Sequence, residues 1–480
     1  MRLACMPRMT AMVNNKQTAP LPPEKSGAYL YGMLVHSLLK KLIQKGDLTL
    51  TDWKGRMTRY GDGSGPKIHI EITTTSAARK IALDPDLYLG EMFMSGEFKM
   101  LRGRIADFLD LALSNMKPGL STSGNANFIH SLIYKGRIAM RRLDQANSLK
   151  RSRANVHSHY DLSGDLYDLF LDGDRQYSCA YFEHDDQTLE EAQLAKKRHI
   201  AAKMNIKPGM KILDIGSGWG GMGLYLAEMY CADVTGVTLS DEQFALSNAR
   251  AKERGLSNRV RFLMQDYRTL TQKFDRIVSV GMFEHVGVGH FGEFFKKCSE
   301  LLTPDGTMLL HSINRSDGPG ATSAWVKKYV FPGGYIPGIS EVVPHLERHG
   351  LYVTDIEILR LHYAKTLRHW LNRFLANRGK AEALYDERFC RLWEFYLAAS
   401  ESSFRFMGMN NFQIQFGRDQ HHLPFTRDYI MAEEQRLRGI EAKSPYYKAS
   451  ALKPPAVQRD AQAVAKPHAE KRVRKLEPAE

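Results

Sequence analysis

The residues best suited to chemistry form a glycine-rich turn at the end of a short apolar run. The run Lys211–Ile215 (KILDI) predicts a buried strand, and the residues after the turn show the 3.6-residue apolar period of a helix. Glycine lets the backbone turn sharply and approach a ligand without a Cβ in the way. A ligand at this turn would lie at the carboxyl edge of a parallel sheet, beside a helix N-terminus. The glycines predicted to make that contact are Gly216, Gly218 and Gly220.

The charges around this turn favour a cationic ligand over a dinucleotide. Gly216, Gly218 and Gly221 also fit G-x-G-x-x-G, which taken alone is equally a dinucleotide signature. Asp214, however, precedes the first glycine, where its charge would repel a pyrophosphate and attract an ammonium. The next predicted strand ends at Thr238, without the acid that holds a ribose diol. A sulfonium compound such as S-adenosylmethionine suits a pocket of this kind, because carboxylates and aromatic faces attract its charge.

An acidic and an aromatic residue after the third predicted strand complete the pocket. Asp266 and Tyr267 suit the edge and the face of an adenine, the first by hydrogen bonding and the second by stacking. The plainer alternatives are a turn or capping role for Asp214 and core packing for Tyr267. The combination of these residues with a strand, a turn and a helix favours the ligand site.

The elements around the turn predict an α/β domain over residues 157–440. Strand-like and helix-like patterns alternate there, as in βαβ units with a parallel, Rossmann-like sheet. The predicted strands are Lys211–Ile215, Asp233–Thr238, Val260–Gln265, Phe274–Val280 and Gly306–Ile313, and the predicted helices are Gly220–Tyr230, Asp241–Gly255 and Phe291–Leu302. The stretch Leu361–Phe416 is dense in aromatic residues and Met at helical spacing, which indicates either a packed core or an apolar tunnel.

Four segments flank this domain. Residues 1–25 predict a disordered arm, and residues 441–480, rich in Lys, Pro and Ala, predict a disordered basic tail. Residues 26–124 predict a smaller N-terminal α+β domain, since Lys67–Ile72 (KIHIEI) alternates as a half-buried strand does. Its role is open between lipid contact and dimerisation. Residues 125–156 predict a basic helical linker, which is either solvated or touches lipid phosphates.

Composition limits the classes of function. The chain has 480 residues, 43% hydrophobic and 25% charged, as in soluble proteins of more than one domain. Its net charge of +14 favours a polyanionic partner, either nucleic acid or an anionic membrane. The five cysteines are scattered and odd in number, so neither a disulfide framework nor a metal site is predicted. Neither a signal peptide nor a spanning run of roughly 20 apolar residues is apparent, so we expect a cytoplasmic protein whose membrane contact is peripheral.

Several motifs, in the same order, resemble those of cyclopropane-fatty-acyl-phospholipid synthases. They are QYSCAYF (176–182), LDIGSGWGG (213–221), GVTLSDEQ (236–243), MQDYR (264–268), VSVGMFEHVG (278–287) and LLHSI (309–313), and the resemblance spans about 157–435. It implies a class I methyltransferase fold with helical insertions that cover an acyl chain. It also implies that a methylene unit passes from S-adenosylmethionine to the cis double bond of a phospholipid acyl chain, at the inner face of the membrane, with bicarbonate as the base.

The resemblance also implies roles for individual residues. The implied bicarbonate cradle is Cys179, Glu284, His311 and Ile313. A carboxylate and an imidazole can hold such an anion through its proton. The implied donor-binding residues are Tyr177, Ser178, Gly216, Thr238, Gln243, Asp266 and Tyr267, which with Asp214, Gly218 and Gly220 make up the predicted donor site. The alternatives are a capping role for Glu284, a core histidine at His311 and plain packing for Cys179.

Two positions depart from the family pattern. Where many members have a Trp-Tyr-x-Arg-Phe stretch, this chain has Leu371 after Trp370, and Tyr363 or Tyr335 would have to supply the missing hydroxyl. Where some members carry cysteine, this chain has Ser400, which the chemistry tolerates because it needs no thiolate. The missing tyrosine bears on the base site and hence on ring closure.

Three other functions stay open at this point. The first is methylation of the acyl chain without ring closure, giving a methylene or methyl-branched lipid, and the second is a catalytically silent lipid-binding relative. The third is a nucleic-acid methyltransferase, which only the net charge supports. Phe283-Glu284-His285 stands where an N-P-P-Y-like base-flipping loop would follow the fourth strand, so no nucleic-acid partner is predicted. A homodimer is left open.

Overall fold

The computed structural model describes residues 23–116, 128–145 and 163–448. Most of the predicted arm and tail lies outside these ranges. Residues 23–25 belong to a helix, so the prediction of disorder is wrong for them. It is also wrong for the first residues after 441, because Tyr447 is buried and its hydroxyl accepts a hydrogen bond from Arg254 Nη1 at 2.7 Å.

The N-terminal part builds a four-stranded sheet with helices around it. Its elements are α1 (Pro23–Leu42), β1 (Asp47–Thr51), β2 (Met57–Tyr60), β3 (Lys67–Ile72), α2 (Thr75–Leu83), α3 (Pro85–Ser95), β4 (Phe98–Arg102) and α4 (Ile105–Ser114). The strand order is β2-β1-β3-β4, and β1 and β3 are parallel. The predicted alternation of β3 is confirmed, since its three isoleucines are buried and the residues between them are not. The elements fit an α+β unit, while the domain boundaries stay predictions.

The second sheet has seven strands and carries the glycine turn. Its strands are β5 (Lys211–Ile215), β6 (Asp233–Thr238), β7 (Val260–Met264), β8 (Phe274–Val280), β9 (Leu302–Arg315), β10 (Tyr352–Ile358) and β11 (Met409–Gly417). The order is β10-β11-β9-β8-β5-β6-β7, and β11 pairs antiparallel with both of its neighbours. All five predicted strands are present, and the α/β, Rossmann-like fold class is confirmed. The helical prediction for Leu361–Phe416 is wrong for its last residues, because β11 begins at Met409.

Twelve further helices among the described residues pack on this sheet or connect it to the N-terminal part. They are α5 (Phe128–Asp144), α6 (Gly164–Asp168), α7 (Leu189–Lys203), α8 (Gly221–Tyr230), α9 (Asp241–Glu253), α10 (Phe291–Leu301), α11 (Ala324–Tyr329), α12 (Ile339–Arg348), α13 (His362–Ala376), α14 (Arg378–Leu384), α15 (Glu387–Phe406) and α16 (Asp428–Glu441). Helix α5 lies within the residues predicted as a basic linker, and the linker role stays a prediction. Helix α7 begins with a capping box between Thr188 and Glu191, and almost every residue of it is buried. None of the described helices is both long and apolar enough to cross a membrane.

Helices α3 and α4 of the N-terminal part pack against α15, so the two parts share one aromatic core. Asp110 on α4 accepts hydrogen bonds from Ser402 Oγ at 2.7 Å and from Arg405 Nη1 at 2.6 Å. Gly90 on α3 lies so close to the rings of Trp325 and Phe395 that a Cβ would overlap them. Helices α13 and α15 also pack on each other and on β11 of the seven-stranded sheet.

Candidate donor and base site

A cavity of about 160 Å³ lies at the carboxyl ends of β5, β6 and β8. Nine of the ten predicted donor-site residues line it: Tyr177, Ser178, Asp214, Gly216, Gly218, Thr238, Gln243, Asp266 and Tyr267. Gly220 is the exception. Ser178, one of these nine residues, is the chain neighbour of Cys179. His285, a further lining residue, is the chain neighbour of Glu284, so the cavity adjoins the predicted base site.

The glycine turn has the backbone conformation that its sequence predicts. Gly216 and Gly218 have φ of +78° and +54°, a region that side chains disfavour. A Cβ on Gly216 would also lie 2.8 Å from Cβ of Met282. Gly220 has φ of +86°, but there a Cβ would meet the ring of Phe262 at 2.7 Å and Ser247 at 2.8 Å. Gly220 therefore allows α8 to pack on the sheet, and its predicted contact with the cavity is wrong.

Asp214 lines this cavity and its carboxylate is buried. The residue is 2% exposed, and its Oδ2 has no hydrogen-bond partner among the described residues. Burial raises the pKa of Asp214 to about 7, against the opposing field of Lys196. A buried carboxylate oxygen without a partner is costly, and a ligand ammonium would satisfy it. The residues present thus fit the amino-acid end of S-adenosylmethionine.

Helix α7 fixes the chain segment that forms the opposite wall. Lys196 Nζ donates to Gln176 Oε1 at 2.6 Å and to Ser178 Oγ at 2.9 Å. Gln193 Nε2 donates to the backbone carbonyls of Gln176 at 3.2 Å and Ser178 at 2.9 Å. Sequence reasoning missed both helix residues, because polar side chains in a helix usually face solvent. The apolar residues on every face of α7 are the only signal that it is buried.

The residues after β6 and β7 are held by contacts with one another. Thr238 Oγ1 donates to Gln243 Oε1 at 2.8 Å. The Asp266 carboxylate accepts two hydrogen bonds from the Arg268 guanidinium, at 2.9 and 2.7 Å. The Tyr267 ring lines the cavity and also packs edge-on against Phe294, with ring centroids 5.6 Å apart. Core packing and the predicted stacking surface are therefore both compatible with its position.

Glu284 and Ile313 are joined at the predicted base site. Glu284 lies in the 3₁₀ turn Phe283–His285, and its Oε1 accepts the Ile313 N–H at 2.6 Å. Its Oε2 is buried and has no hydrogen-bond partner among the described residues. Burial raises the pKa of Glu284, against the hydrogen bond from Ile313. The free oxygen suits a partner that brings its own proton, as bicarbonate does.

His311 lies two residues before Ile313 on the same face of β9. It is 1% exposed, and burial lowers its pKa to about 3, so the imidazole is neutral at physiological pH. The side-chain amides of Asn411 and Gln413 lie 3.4 and 3.2 Å from its two ring nitrogens. Both amides turn their nitrogen to the ring, and since a neutral imidazole accepts only one hydrogen bond, only one of the two NH₂ groups can donate to it. Strand β11 thereby fixes the ring plane of His311.

Cys179 is a buried, neutral thiol next in the chain to Ser178 of the cavity wall. It is buried, its Sγ donates to the Ala180 carbonyl at 3.3 Å, and burial raises its pKa far above the usual range. It is one of four described cysteines, all free, and the described residues contain no cluster of His, Cys, Asp and Glu that could hold a metal. The Cys179 thiol is therefore not in the thiolate form that a nucleophile requires.

The two tyrosines considered as replacements for the missing hydroxyl differ in position. The Tyr335 hydroxyl lies 2.6 Å from Glu341 Oε2 and 3.0 Å from Arg141 Nη1, so its partners lie outside the base site. The Tyr363 ring is buried edge-on to Trp370 at 5.7 Å, and Trp370 in turn lies 5.2 Å from Tyr177. Tyr363 is therefore linked to the cavity wall through Trp370 and Tyr177, whereas Tyr335 meets the base site through its backbone N–H, which donates to the Glu284 carbonyl at 2.8 Å.

An aromatic wall closes the side of the site formed by α13 and α15. The hydroxyls of Tyr177 and Tyr396 are 2.8 Å apart, and the rings of Trp370 and Trp393 are fully buried beside Phe170. This part of the predicted core-or-tunnel stretch is densely packed. Ser400, partly buried, follows Tyr396 by about one turn on α15, and no described contact joins it to the other predicted catalytic residues.

Comparisons with known proteins agree with this geometry. The family described as mycolic acid cyclopropane synthetase matches residues 147–414, and a domain of unknown function matches residues 34–124. The cyclopropane-fatty-acyl-phospholipid synthase of Escherichia coli strain K12 is 37% identical over 358 residues, which cover 74% of this chain and 89% of that protein. A probable fatty acid methyltransferase of Pseudomonas putida is 40% identical over 292 residues, covering 58% of this chain and 74% of that protein.

Solved structures show the same fold. The cyclopropane synthase MmaA2 from Mycobacterium tuberculosis aligns with a TM-score of 0.54 at 34% identity, covering 56% of this chain and 99% of that one. The mycolic acid cyclopropane synthase CmaA1, complexed with SAH and CTAB, aligns with a TM-score of 0.53 at 36% identity, covering 55% and 97%.

Proposed function

The chain belongs to the mycolic acid cyclopropane synthetase family, and from this we propose that it forms cyclopropane rings in unsaturated phospholipid acyl chains. In this reaction a methylene unit passes from S-adenosylmethionine to a cis double bond. The observation that carries the proposal is a cavity whose wall includes Ser178 and His285, the chain neighbours of the predicted base-site residues Cys179 and Glu284. The consecutive residues Ser178 and Cys179 link the two halves.

The donor half would hold S-adenosylmethionine, which supplies an electrophilic methyl group when bound. Asp214 would bind its ammonium, as the partnerless Oδ2 supports. Gly216 and Gly218 leave room for close approach of the backbone, and Asp266 with Tyr267 would face the adenine. The aromatic rings around Tyr177 keep water from the reacting carbon and tolerate positive charge nearby.

The base half would hold bicarbonate, the base that the family resemblance implies. Glu284 Oε2 would accept its proton in a hydrogen bond, and the rigid His311 ring would fix its direction. The Ile313 N–H is already bonded to Glu284, so we expect it to orient the carboxylate and not to bind the anion first. Cys179 and Tyr363 would complete the wall of the base half. Ser400, about one turn beyond Tyr396 on α15, stays a predicted catalytic residue.

The proposed lipid substrate lies in a membrane, so the protein has to meet it at the membrane surface. A lipid with a buried double bond has to leave its bilayer in part, and a net charge of +14 favours docking on an anionic surface. We propose peripheral attachment at the cytoplasmic face, with the N-terminal part at the lipid or at a second copy of the chain. Nucleic acid is not proposed as a partner.

The test uses the purified full chain, vesicles of dioleoyl phosphatidylglycerol and isotopically labelled S-adenosylmethionine. We expect label in the acyl chains, with each product heavier by one CH₂ and resistant to mild hydrogenation. A product that hydrogenation converts to a branched chain would support instead the alternative of methylation without ring closure, which the similarity to a probable fatty acid methyltransferase favours. Vesicle binding without donor consumption would overturn both and leave a lipid-binding protein.

A further inference from the structure

Gln145, the residue after the last one of α5, is held against the chain segment that carries Glu284. Its side-chain Oε1 accepts the Val288 N–H at 3.0 Å, and the residue is only 5% exposed. A glutamine at the end of a basic helix is normally exposed, because burial of its amide is costly. Burial of Gln145 against a segment 143 residues further along the chain therefore requires an explanation.

Gly287 lets the end of α5 approach this segment closely. Its φ is +83°, and an added Cβ would lie 2.5 Å from the Gln145 carbonyl oxygen. Any side chain at this position would push α5 and the segment apart. Gln145 therefore meets two consecutive residues, with its backbone against Gly287 and its side chain bonded to Val288.

Backbone hydrogen bonds anchor the same segment before and at Glu284. The Gly281 N–H donates to the His311 carbonyl at 2.9 Å, and the Tyr335 N–H donates to the Glu284 carbonyl at 2.8 Å. Gln145 holds the chain again at Val288, four residues beyond Glu284. The Glu284 carboxylate is thus carried by a short segment with an anchor on each side. A displacement of either anchor changes the direction in which the carboxylate points.

We propose that Gln145 is a positioning residue for the base half of the site, which holds the Gly287–Val288 backbone and thereby directs the Glu284 carboxylate. The inference rests on the proposed function, because that function assigns Glu284 to the base half. Misplacement of a reacting group by about 1 Å can lower a rate about 100-fold. The contact of α5 with this segment should therefore be visible in kcat.

Two variants separate the hydrogen bond from the rest of the residue. Gln145→Ala removes the acceptor for the Val288 N–H. Gln145→Glu keeps an oxygen in the same place, and a carboxyl group accepts a hydrogen bond whether or not it is protonated. Rescue by glutamate would show that the acceptor, and not the amide NH₂, is what the segment needs.

Arg137→Gln is the matched control on the same helix, about two turns before Gln145. Arg137 pairs with Asp84 and, at 2.6 Å, with Asp86 in the N-terminal part. The control thus disturbs α5 and leaves the acceptor for Val288 in place.

The experiment measures hydrogen exchange at the Val288 amide and kcat of the full chain on vesicles of dioleoyl phosphatidylglycerol. We expect Gln145→Ala to exchange the Val288 amide faster and to lower kcat about tenfold. Gln145→Glu and Arg137→Gln should keep wild-type exchange at Val288 and a kcat within about threefold of the wild type.

A double-mutant cycle with Glu284→Gln distinguishes positioning from a general loss of structure. If Gln145 acts through the Glu284 carboxylate, Gln145→Ala lowers kcat by less than about twofold once that carboxylate is gone. A merely structural role would lower kcat by the same factor in both backgrounds. Thermal melts establish that each variant is folded. Where Gln145→Ala is not, Gln145→Asn withdraws the acceptor by one methylene group and enters the same cycle.

Wild-type kcat in Gln145→Ala, or equal losses in the two backgrounds, would overturn the inference. An equal loss of kcat in Arg137→Gln would also overturn it, because loosening of α5 alone would then account for the effect. Each of these results leaves the proposed function standing, since the wild type still modifies lipid. Absence of lipid modification by the wild type would instead remove the proposed function.

Discussion

Glu284 Oε1 accepts the backbone N–H of Ile313 at 2.6 Å, and its other carboxylate oxygen is buried with no partner among the described residues. The pair joins the 3₁₀ turn after β8 to the carboxyl end of β9, two residues beyond His311. A carboxylate fixed at one oxygen and open at the other can direct a small proton-bearing group.

Replacing Glu284 with glutamine should separate binding from chemistry. The amide oxygen can still accept from Ile313, so the backbone should keep its position, but the charge is lost. We expect kcat for lipid modification to fall about 100-fold, while affinity for S-adenosylhomocysteine stays within about twofold. Single-turnover rates and calorimetry measure the two. A kcat within about fivefold of wild type would remove Glu284 from the base site.

Tyr363→Phe should lower kcat for ring formation about 10- to 100-fold, as loss of a hydroxyl that bonds a charged group does. We expect the fraction of branched, ring-free product to rise, which mass spectrometry after hydrogenation detects. Tyr335→Phe is the matched control, since its hydroxyl bonds Glu341 and Arg141. That variant should lose about 1–3 kcal/mol of stability and keep its product ratio. Equal kinetic effects of the two would contradict the assignment of Tyr363.

Local pattern made the donor half predictable. Asp214 and Gly216 belong to one strand–turn–helix unit, so their proximity follows from a few consecutive residues. The amides that fix His311 are different, because Asn411 and Gln413 lie about a hundred residues away and meet it only through β11. No periodicity within either segment encodes that pairing.

Burial was the property hardest to predict from residue type. Lys196 and Gln193 look like solvent-facing residues of an ordinary helix, yet α7 is enclosed by the chain on almost every side. Gly220 was predicted as a ligand contact because it shares the glycine turn, whereas its neighbours Phe262 and Ser247 come from β7 and α9. In each case tertiary packing and not local sequence decides the role.

Gly220→Ala should destabilise the fold more than Gly209→Ala, although both glycines have a positive φ. Gly220 has φ of +86°, and an added Cβ would lie 2.7 Å from the Phe262 ring. Gly209, with φ of +77° and nothing within 4 Å of an added Cβ, is the control. We expect about 1 kcal/mol of lost stability at Gly209 and a further 1–3 kcal/mol or so at Gly220 from overpacking. Urea unfolding of both variants measures the difference, and equal losses would show that α8 can shift to make room.

Acid should weaken the fold in part through His311. The folded state holds this imidazole neutral down to a pKa of about 3, whereas an unfolded chain takes up the proton near pH 6.5. Between those values the unfolded state binds more protons, so the free energy of unfolding falls as pH falls, by up to about 1.4 kcal/mol per pH unit for this group. Asp214 acts in the opposite direction, because its pKa is raised, and the two effects overlap in the wild type.

Comparing the wild type with His311→Asn cancels the shared contributions, and we expect the variant to have the shallower dependence of unfolding free energy on pH between 6 and 4. Parallel curves, or a His311 ring resonance that titrates near pH 6.5 in the folded protein, would contradict a buried neutral imidazole at the base site.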